Sequence, residues 1–345
     1  MSTFEHYRPL GRTGVQVSPL TLGAMMFGAW GNPDHDESVR IIHAALDAGI
    51  NFIDTADVYA QGESEEIVGK ALAGGKRDAV VLATKFYNPM GDDPNRRGAS
   101  RRWIMRAVED SLRRLDTDWI DLYQIHRPSP ETDIDETLGA LTDLVRQGKV
   151  RYIGSSTFPA SQIVEAQWAA HDRRLQRFVS EQPPYSILVR GIENDVLPTC
   201  ARHGMAVIPW SPLTGGWLSG RYRKGGEQPG STRSDRLPAR YDMSDAGNQR
   251  KLDAADALGG LADEVGMPLI QLAIAFVLNH PTITAPIIGP RTMEHLESQL
   301  PAADVVLDDA ILDRIDEIVP PGTTLNPAAD GGLANPALEP AARRR

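Results

Sequence analysis

Eight short apolar runs that alternate with amphipathic segments predict an α/β protein, a single-domain (β/α)₈ barrel of the TIM-barrel class. Polar, Gly or Pro residues bound each run, as expected for buried parallel strands. The runs occupy residues 20–23, 51–54, 80–85, 120–126, 152–156, 178–182, 206–210 and 284–288. Strand–helix units that repeat about every 30 residues indicate helical crossovers. Eight such units fit a closed barrel better than an open doubly wound sheet.

The amphipathic segments between these runs have the spacing of helices that pack one face on a sheet. The three clearest are residues 37–48, 103–115 and 137–145. Each repeats apolar residues at intervals of three and four, which places them on one side of a helix. Gly49, Gly148 and Gly204 stand where helices should end, because glycine readily adopts the left-handed conformation of a helix terminus.

Three parts of the chain depart from this repeat. Residues 8–19 contain a Leu-Gly-Arg-Thr-Gly turn and predict a short N-terminal hairpin at the base of the barrel. Residues 215–247, rich in Gly, Pro, Arg and Ser, predict a long loop after the seventh strand. The barrel domain is assigned to residues 1–319, and the Pro- and Ala-rich residues 320–345 to a mobile C-terminal tail.

Charge and composition argue against several classes of function. The formal net charge of -10 gives no general attraction to nucleic acids or to anionic membranes. No segment is apolar and long enough to cross a bilayer, and the N-terminus lacks the apolar run of a signal peptide. Cys200 is the only cysteine, so an internal disulfide is impossible. We expect a cytoplasmic protein with no nucleic-acid or membrane partner, and its oligomeric state stays open.

Polar or aromatic residues stand at six successive strand ends, where barrels of this class place their active sites. They are Asp54, Lys85, His126, Ser156, Gln182 and Trp210. Tyr59 lies in the loop just beyond Asp54. Taken singly, each residue has an ordinary alternative, such as a helix cap, a surface aromatic or a solvated strand end. Their joint placement favours a functional site.

Four of these side chains together suggest a proton donor for a developing alkoxide. A free tyrosine titrates at about pH 10, which makes it a weak acid for this task. An adjacent ammonium group favours the phenolate, so Lys85 should lower the pKa of Tyr59. Asp54 would keep Lys85 charged and in place, and His126 would orient the substrate oxygen through a hydrogen bond. Such a set serves carbonyl reduction, in which hydride arrives at carbon and Tyr59 protonates oxygen.

A motif around the second strand resembles the aldo-keto reductase signature. It consists of Gly-Ile-Asn-Phe-Ile-Asp-Thr-Ala-Asp-Val-Tyr at residues 49–59, followed by Gly62, Glu63, Glu65 and Gly69. The resemblance covers nearly the whole chain and is strongest to the branch of bacterial stress-type reductases and potassium-channel β subunits. It implies an NADP-dependent oxidoreductase that reduces aldehydes or ketones to alcohols. The roles it implies are Tyr59 as acid, Lys85 and Asp54 as its support, and His126 as the orienting group.

The resemblance also implies NADP(H) as the cofactor and indicates which residues contact it. They are Gly23, Met25, Asp54, Ser156, Thr157, Gln182, Trp210, Ser211, Pro212, Leu213, Gly215, Arg221, Arg233, Gly289, Arg291, His295 and Gln299. Ser156, Thr157 and Gln182 match the residues that hold the nicotinamide carboxamide, with Thr157 in place of an Asn. Trp210 matches the aromatic side chain that stacks on nicotinamide. Arg221 and Arg233 match a pyrophosphate clamp.

A further phosphate contact is implied after the eighth strand. Arg291, His295 and a helix beginning near Thr292 resemble the adenosine-phosphate site, and free N–H groups at a helix start attract phosphate. Guanidinium also matches phosphate geometry, which predicts a preference for NADPH over NADH. Ser298 and Gln299 replace the Glu and Asn usual in the family.

The sequence selects no particular substrate. Met25, Met26, Trp30 and Tyr87 are expected in the pocket walls, which predicts an apolar and aromatic mouth. Such a mouth suits aldehydes and ketones with apolar bodies.

Two alternatives stay open. A regulatory protein of the same branch could keep the fold and the cofactor but turn over slowly; His126 argues against it, because that branch commonly has Asn at this position. A metal-dependent hydrolase could use Asp54 and His126 as ligands. No other His or Cys has ligand spacing around them, and Lys85 would repel a metal ion.

Overall fold

The computed structural model describes residues 4, 6–226, 229–230 and 232–330, with only the backbone for Thr232 and Arg233. Two short strands, β1 (Arg8–Pro9) and β2 (Gln16–Val17), precede a parallel sheet of eight strands. Those eight are β3 (Thr21–Gly23), β4 (Phe52–Asp54), β5 (Val81–Phe86), β6 (Ile120–Ile125), β7 (Val150–Ser156), β8 (Ser180–Gln182), β9 (Ala206–Val207) and β10 (Ile287–Ile288). Their spatial order is β10-β3-β4-β5-β6-β7-β8-β9, so neighbours in the chain are neighbours in the sheet.

The two end strands close the sheet into a barrel. Val207 of β9 forms a parallel bridge with Ile283, and the N–H of Ile287 donates to Pro209 O at 2.8 Å. On the other side of β10, Ile287 pairs with Thr21 of β3. The predicted (β/α)₈ barrel is confirmed, and each of the eight predicted runs overlaps one of its strands.

Helices lie between the strands and after the last one. They are α1 (His35–Asp47), α2 (Glu63–Leu72), α3 (Arg101–Leu115), α4 (Ile134–Arg146), α5 (Ala160–Arg173), α6 (Val196–His203), α7 (Thr232–Arg236), α8 (Ala246–Glu264), α9 (Leu269–Asn279), α10 (Met293–Gln299), α11 (Asp309–Ile318) and α12 (Pro327–Asp330). The helices α1, α3 and α4 each start a few residues before the predicted segments 37–48, 103–115 and 137–145. Polar N-caps explain this for α1 and α3, where Asp34 and Ser100 accept hydrogen bonds from the free N–H groups of the first turn. Gly204 ends α6 in the left-handed conformation with φ 62°, as predicted.

The predicted hairpin closes the base of the barrel. β1 and β2 pair antiparallel, and Leu10 and Val17 are fully buried. They pack in one apolar cluster with interior residues of the barrel strands, including Phe52, Ala83, Leu122, Ala206 and Ile287. The base is therefore filled with hydrocarbon, which leaves polar chemistry to the opposite end.

The long loop and the start of the predicted tail both pack on the barrel. Residues 215–247 contain α7 and a 3₁₀ turn, Pro238–Arg240. In the predicted tail, Leu325 N donates to Leu188 O at 3.1 Å and Lys251 Nζ pairs with Asp330 Oδ2 at 2.6 Å. Residues 320–330 are thus held by the barrel, and a mobile tail stays a prediction for residues 331–345, which lie outside the described residues.

Across the described ranges, no single helix is both long and apolar enough to span a membrane. The helices α8 and α9 meet that test only when taken as a pair, and they are bent by 97° relative to each other.

Candidate active site

Asp54, Lys85 and Tyr59 form a connected group at the carboxyl-terminal end of the barrel. Asp54 ends β4 and Lys85 lies in the paired strand β5, so both side chains reach the same mouth. The Lys85 Nζ donates to Asp54 Oδ2 at 2.5 Å, to Thr55 O at 2.9 Å and to Tyr59 Oη at 3.2 Å. An ammonium group has three hydrogens, so these partners use all of them. The fully buried charge of Lys85 is therefore fixed in position.

A strained turn brings Tyr59 back over the mouth. Tyr59 begins the 3₁₀ turn Tyr59–Gly62, in which Ala60 and Gln61 have φ of 48° and 58°. Side-chain-bearing residues rarely adopt positive φ, and such strain collects at functional sites. The turn places the Tyr59 ring centroid 4.9 Å from the Lys85 ammonium.

Two glutamines hold the other oxygen of Asp54. Gln182 Nε2 donates to Asp54 Oδ1 at 2.8 Å, and Gln124 Nε2 donates to the same oxygen at 3.1 Å. All three side chains are buried. Asp54 is thus a buried carboxylate with one cation and two amides as donors, which is the condition under which a buried charge is tolerated.

Burial and neighbouring charges set the pKa values of Lys85 and Tyr59. Burial lowers the pKa of Lys85, but Asp54 and Tyr59 outweigh it, so its pKa lies above the ordinary value. Burial, together with the charge of Asp54, raises the pKa of Tyr59 by more than Lys85 and Arg127 lower it. The expectation that Lys85 leaves Tyr59 with a lowered pKa is therefore wrong, because loss of water and a nearby carboxylate both disfavour the phenolate. Tyr59 keeps its proton at neutral pH.

His126 lies beside Tyr59 at the end of β6. Their ring centroids are 5.8 Å apart, with the rings edge-on at 80°. Asn88 Nδ2 donates to His126 Nδ1 at 3.0 Å, which leaves the ring proton on Nε2. Burial, followed by the charges of Lys85 and Arg127, holds the pKa of His126 well below its ordinary value. His126 is thus a neutral imidazole with an Nε2–H donor.

The three predicted carboxamide ligands lie together at the ends of β7 and β8. Ser156 Oγ donates to Gln182 O at 2.8 Å, and Thr157 N donates to the same oxygen at 3.2 Å. Thr157 has φ 60°, a conformation that side-chain-bearing residues seldom adopt. Arg127 Nη1 donates to Thr157 Oγ1 at 2.5 Å. The side-chain amide of Gln182 bonds to Asp54 in this structure.

The predicted segment from Trp210 to Gly215 borders one cavity. Trp210, Ser211 and Gly215 line it together with Arg240 and Tyr241. Ser211, with φ 61°, accepts a hydrogen bond from Gly215 N at 3.0 Å, which shapes a tight turn. Pro212 and Leu213 complete that turn. The buried Trp210 Nε1 has no hydrogen-bond partner among the described residues.

A second group of predicted cofactor residues lies at the start of α10. Burial, Arg291 and Arg221 all lower the pKa of His295, which shows that the two guanidinium groups act on the same imidazole. Thr292 caps α10 by accepting a hydrogen bond from His295 N at 3.3 Å. The predicted helix start near Thr292 is therefore confirmed. Gln299 at the other end of α10 is buried.

Four further predicted contacts differ in what the structure describes. Arg233 lies in α7, and its side chain falls outside the described residues. Gly289 is exposed, with open space where a Cβ would stand. Gly23 has a structural reason to be glycine, because a Cβ there would lie 2.5 Å from Ile287 Cγ2. Met25 is half-buried in the turn after β3.

Sequence reasoning missed three residues that support this group. Gln124 lies in β6 two positions before His126, which directly follows that strand, and the period-2 alternation of a strand could have revealed it. Arg127 follows His126 directly, but nothing local shows that it reaches Thr157. Asn88 lies in the loop after β5, and no sequence pattern links it to His126.

The described ranges contain no group of three or more His, Cys, Asp and Glu side chains arranged to hold a metal ion. Asp54, a ligand in the metal-hydrolase alternative, has both oxygens bonded to Lys85, Gln124 and Gln182.

The structure is thus a closed eight-stranded barrel whose mouth carries Asp54, Tyr59, Lys85 and His126. Sequence comparison identifies the protein family to which such a barrel belongs. The profile of the aldo/keto reductase family matches residues 19–320, so the chain belongs to this family of oxidoreductases. The resemblance predicted from the sequence is confirmed.

Individual relatives narrow the branch. An uncharacterised oxidoreductase of Bacillus subtilis, YrpG, is 42% identical over 91% of this chain and 96% of its own length. A protein of Arabidopsis thaliana named as a probable voltage-gated potassium channel subunit beta is 36% identical over the same shares. The versiconal hemiacetal acetate reductase of Aspergillus parasiticus is 34% identical over 90% of this chain and 96% of its own. The chain is therefore similar to reductases and to channel subunits alike.

Proposed function

We propose that this chain is a cytoplasmic NADPH-dependent oxidoreductase that reduces small aldehydes or ketones to alcohols. One observation carries the proposal: the phenol of Tyr59 lies 3.2 Å from the buried ammonium of Lys85, which is itself paired with Asp54 at 2.5 Å. A phenol in contact with a fixed ammonium ion can give up its proton to an alkoxide at the moment that charge develops.

The residues at the mouth fit a nicotinamide dinucleotide. Ser156, Thr157 and Gln182 lie side by side, and their side-chain oxygens suit the N–H donors of a carboxamide, although the Gln182 amide nitrogen already donates to Asp54 and Gln124. Because Arg127 donates to the Thr157 oxygen, the hydroxyl hydrogen of Thr157 stays available as a donor in place of an Asn amide. The ring of Trp210 supplies a flat face for stacking. Bound NADPH would supply the hydride for the carbonyl carbon.

Tyr59, Lys85 and His126 divide the work on the substrate oxygen. The raised pKa of Tyr59 keeps the proton on the phenol until it is needed. Lys85 then stabilises the phenolate that forms, and Asp54 keeps Lys85 charged. Neutral His126 offers Nε2–H to the carbonyl oxygen, which polarises and orients it.

The test of this function is NADPH consumption against a panel of aldehydes, ketones and quinones, with wild type and Tyr59→Phe. Tyr59→Phe removes only the hydroxyl, so the fold and the NADPH dissociation constant should stay close to wild type. A general acid typically contributes about 10²–10⁴-fold, so kcat/KM for a good substrate should fall by that factor. Reduction by Tyr59→Phe at the wild-type rate would contradict the assignment.

A second experiment tests the choice of cofactor. Arg291 and Arg221 act on His295 near the start of α10, and such cations match the extra phosphate of NADPH. Wild type should therefore bind NADPH more tightly than NADH. A charged hydrogen bond contributes about 1.5–3 kcal/mol, roughly ten- to a hundred-fold in affinity, so Arg291→Ala should narrow the gap by weakening NADPH. Fluorescence titrations of both cofactors measure it, and equal loss for both would reject the role of Arg291.

The alternative is a cofactor-binding regulatory subunit with slow turnover. Relatives named as channel subunits favour it. The neutral His126 beside Tyr59 favours the enzyme, because it adds a hydrogen-bond donor for the substrate oxygen. The panel separates the two: tight NADPH binding without consumption by any carbonyl compound would support the regulatory role.

A further inference from the structure

Three arginines lie around the mouth on the side of Tyr59. Arg127 follows His126 at the end of β6, Arg236 ends α7, and Arg240 ends the 3₁₀ turn Pro238–Arg240. Arg127 acts electrostatically on Tyr59 and is itself repelled by Arg240. Arg240 in turn repels Arg236. The three guanidinium groups therefore share one field in a protein whose net charge is strongly negative.

Neutral groups, not carboxylates, are the described contacts of these arginines. Arg127 donates to Thr157 Oγ1 at 2.5 Å and to His126 O at 3.1 Å. Arg236 lies with its guanidinium carbon 4.6 Å from the centre of the Trp30 ring. Within the part of the chain that the structure describes, no carboxylate forms a salt bridge with any of the three.

Two arginines elsewhere in the molecule, the buried Arg190 and the half-buried Arg114, are paired with acids. Arg190 contacts Glu193 at 2.8 Å and Asp316 at 2.6 Å, and Arg114 contacts Glu65 at 2.7 Å. Among the described residues, half-buried Arg127 lacks such an acid, as does half-buried Arg8, which donates to Leu278 O and Ile283 O, and Arg236 at the mouth is exposed to solvent.

An acid within the electrostatic reach of Arg127 is already committed elsewhere. Glu181 accepts hydrogen bonds from Ser155 Oγ at 2.5 Å and from Phe158 N at 3.0 Å. Burial raises the pKa of Glu181 to about 7, so near neutral pH it is partly uncharged. At neutral pH the charge of Glu181 therefore offsets that of Arg127 only in part.

Arg236 is separated from Tyr59, the proposed acid, by one side chain, that of Trp30. Trp30 contacts both partners: its ring centroid is 6.0 Å from that of Tyr59 and 4.6 Å from the Arg236 guanidinium. A substrate whose carbonyl reaches Tyr59 would thus extend a group of benzene-ring length toward Arg236. Of the cations predicted for cofactor phosphates, Arg221 and Arg291 belong to the separate group around His295. Arg233, the third, lies in α7 with Arg236, and its side chain falls outside the described residues.

We propose that the substrate is an anionic carbonyl compound, with a carboxylate or a phosphate held by Arg236 and by the field of Arg127 and Arg240. This inference rests on the proposed reductase function and names its substrate class. It also adds a charged group to the apolar and aromatic mouth expected from the sequence, because Trp30 carries a guanidinium group on its face.

The experiment compares two aldehydes of equal size, 4-formylbenzoate and 4-formylbenzamide, as substrates with NADPH. A charged hydrogen bond is equivalent to roughly ten- to a hundred-fold in affinity, so wild type should prefer the benzoate by about that factor in kcat/KM. In Arg236→Gln the ratio of the two kcat/KM values should fall about ten-fold, with a smaller fall in Arg240→Gln. Arg202→Gln removes an exposed charge at the end of α6 and should leave the ratio at the wild-type value.

A second pair, glyceraldehyde 3-phosphate and glyceraldehyde, distinguishes phosphate from carboxylate. The pair that shows the larger preference, and the larger loss in Arg236→Gln, identifies the anion. The NADPH dissociation constant of Arg236→Gln, measured by fluorescence, should match that of wild type.

Three outcomes would overturn the inference, and they separate it from the proposed function. Wild type that reduces each neutral aldehyde as efficiently as its anionic partner rejects the anionic substrate alone. Weaker NADPH binding by Arg236→Gln would assign Arg236 to the cofactor. No NADPH consumption with any carbonyl compound would reject the reductase function, and this inference with it.

Discussion

Two fully buried lysines in this molecule each pair with an aspartate, yet they differ in everything that surrounds the pair. Lys85 sits between barrel strands and donates to Asp54, Thr55 and Tyr59. Lys251 lies in α8, donates to Asp330 at 2.6 Å and to a backbone carbonyl at 3.3 Å, and faces the ring of Trp217 at 4.8 Å.

The two pKa values move in opposite directions. For Lys251, burial outweighs the attraction of Asp330, and its pKa is lowered. For Lys85, burial is outweighed by Asp54 together with Tyr59, and its pKa is raised. Around Lys251, the attraction of Asp330 and Asp245 does not offset burial and the repulsion by Arg240. Around Lys85, Asp54 and Tyr59 more than offset burial. The surroundings of Lys85 thus keep it charged at the mouth, whereas the Lys251–Asp330 pair links α12 to α8.

Breaking the Lys85–Asp54 pair should have the largest effect on the free energy of unfolding. Lys85→Met leaves the Asp54 carboxylate buried without its cation, and such a loss destabilises a protein by about 3–5 kcal/mol. Urea unfolding measures the free energy of unfolding. The double variant Asp54→Asn/Lys85→Met should recover part of the loss, since it removes the unpaired charge but keeps an acceptor for Gln124 and Gln182. No recovery would mean that shape, not charge, dominates this site.

Glu181 tests whether burial also governs the pKa of an acidic side chain. It is buried with hydrogen-bond donors but no contacting cation. Its pKa is raised to about 7, so the folded state holds the proton more tightly than the unfolded state does. The contribution of Glu181 is therefore most favourable below the unfolded pKa of 4.5 and is lost as pH rises to about 7.

Glu181→Gln does not titrate, so it should gain stability relative to wild type across this window, by on the order of 3 kcal/mol. Urea unfolding of both proteins at about pH 5 and about pH 8 checks the sign. A stability difference that stays constant with pH would show that Glu181 is ionised throughout.

Breaking the Lys251–Asp330 pair should have the smallest effect on the free energy of unfolding. Lys251→Met removes the bond to Asp330, but α12 lies near the end of the described chain and can detach locally, so its aspartate regains water. We expect a loss of about 1–3 kcal/mol and faster hydrogen exchange in residues 320–330. Exposed Lys76→Met serves as the control. A loss as large as that of Lys85→Met would remove the distinction between the two pairs.

The sequence predicts the barrel well because each strand is a local apolar run bounded by polar residues. It also places Asp54, Lys85 and His126 correctly at the mouth, since strand ends of a parallel barrel meet at one edge. The hairpin is predicted by its turn residues, and burial of Leu10 and Val17 shows where it packs.

Contacts between segments that are distant in the chain leave no local pattern in the sequence, so sequence analysis does not predict them. Trp30 and Arg236 belong to different loops, and only the folded chain brings them together. The pKa of Tyr59 depends on a balance between burial and the neighbouring charges, which spacing along the chain cannot weigh. The packing of residues 320–330 depends on Leu188 and Lys251, far away in the chain.

Closure of the barrel makes the order of synthesis matter. The strand β3 is completed by the last barrel strand, and the Thr21 hydroxyl bonds to Ala285 O across 264 residues of chain. A ribosome adds about 5–20 residues per second, so the edge of β3 waits roughly 10–50 s for its partner. Throughout that time β3 presents unpaired backbone groups, and the apolar hairpin beside it has no finished barrel to fill. The emerging chain is thus most exposed to aggregation just before its final strand leaves the ribosome.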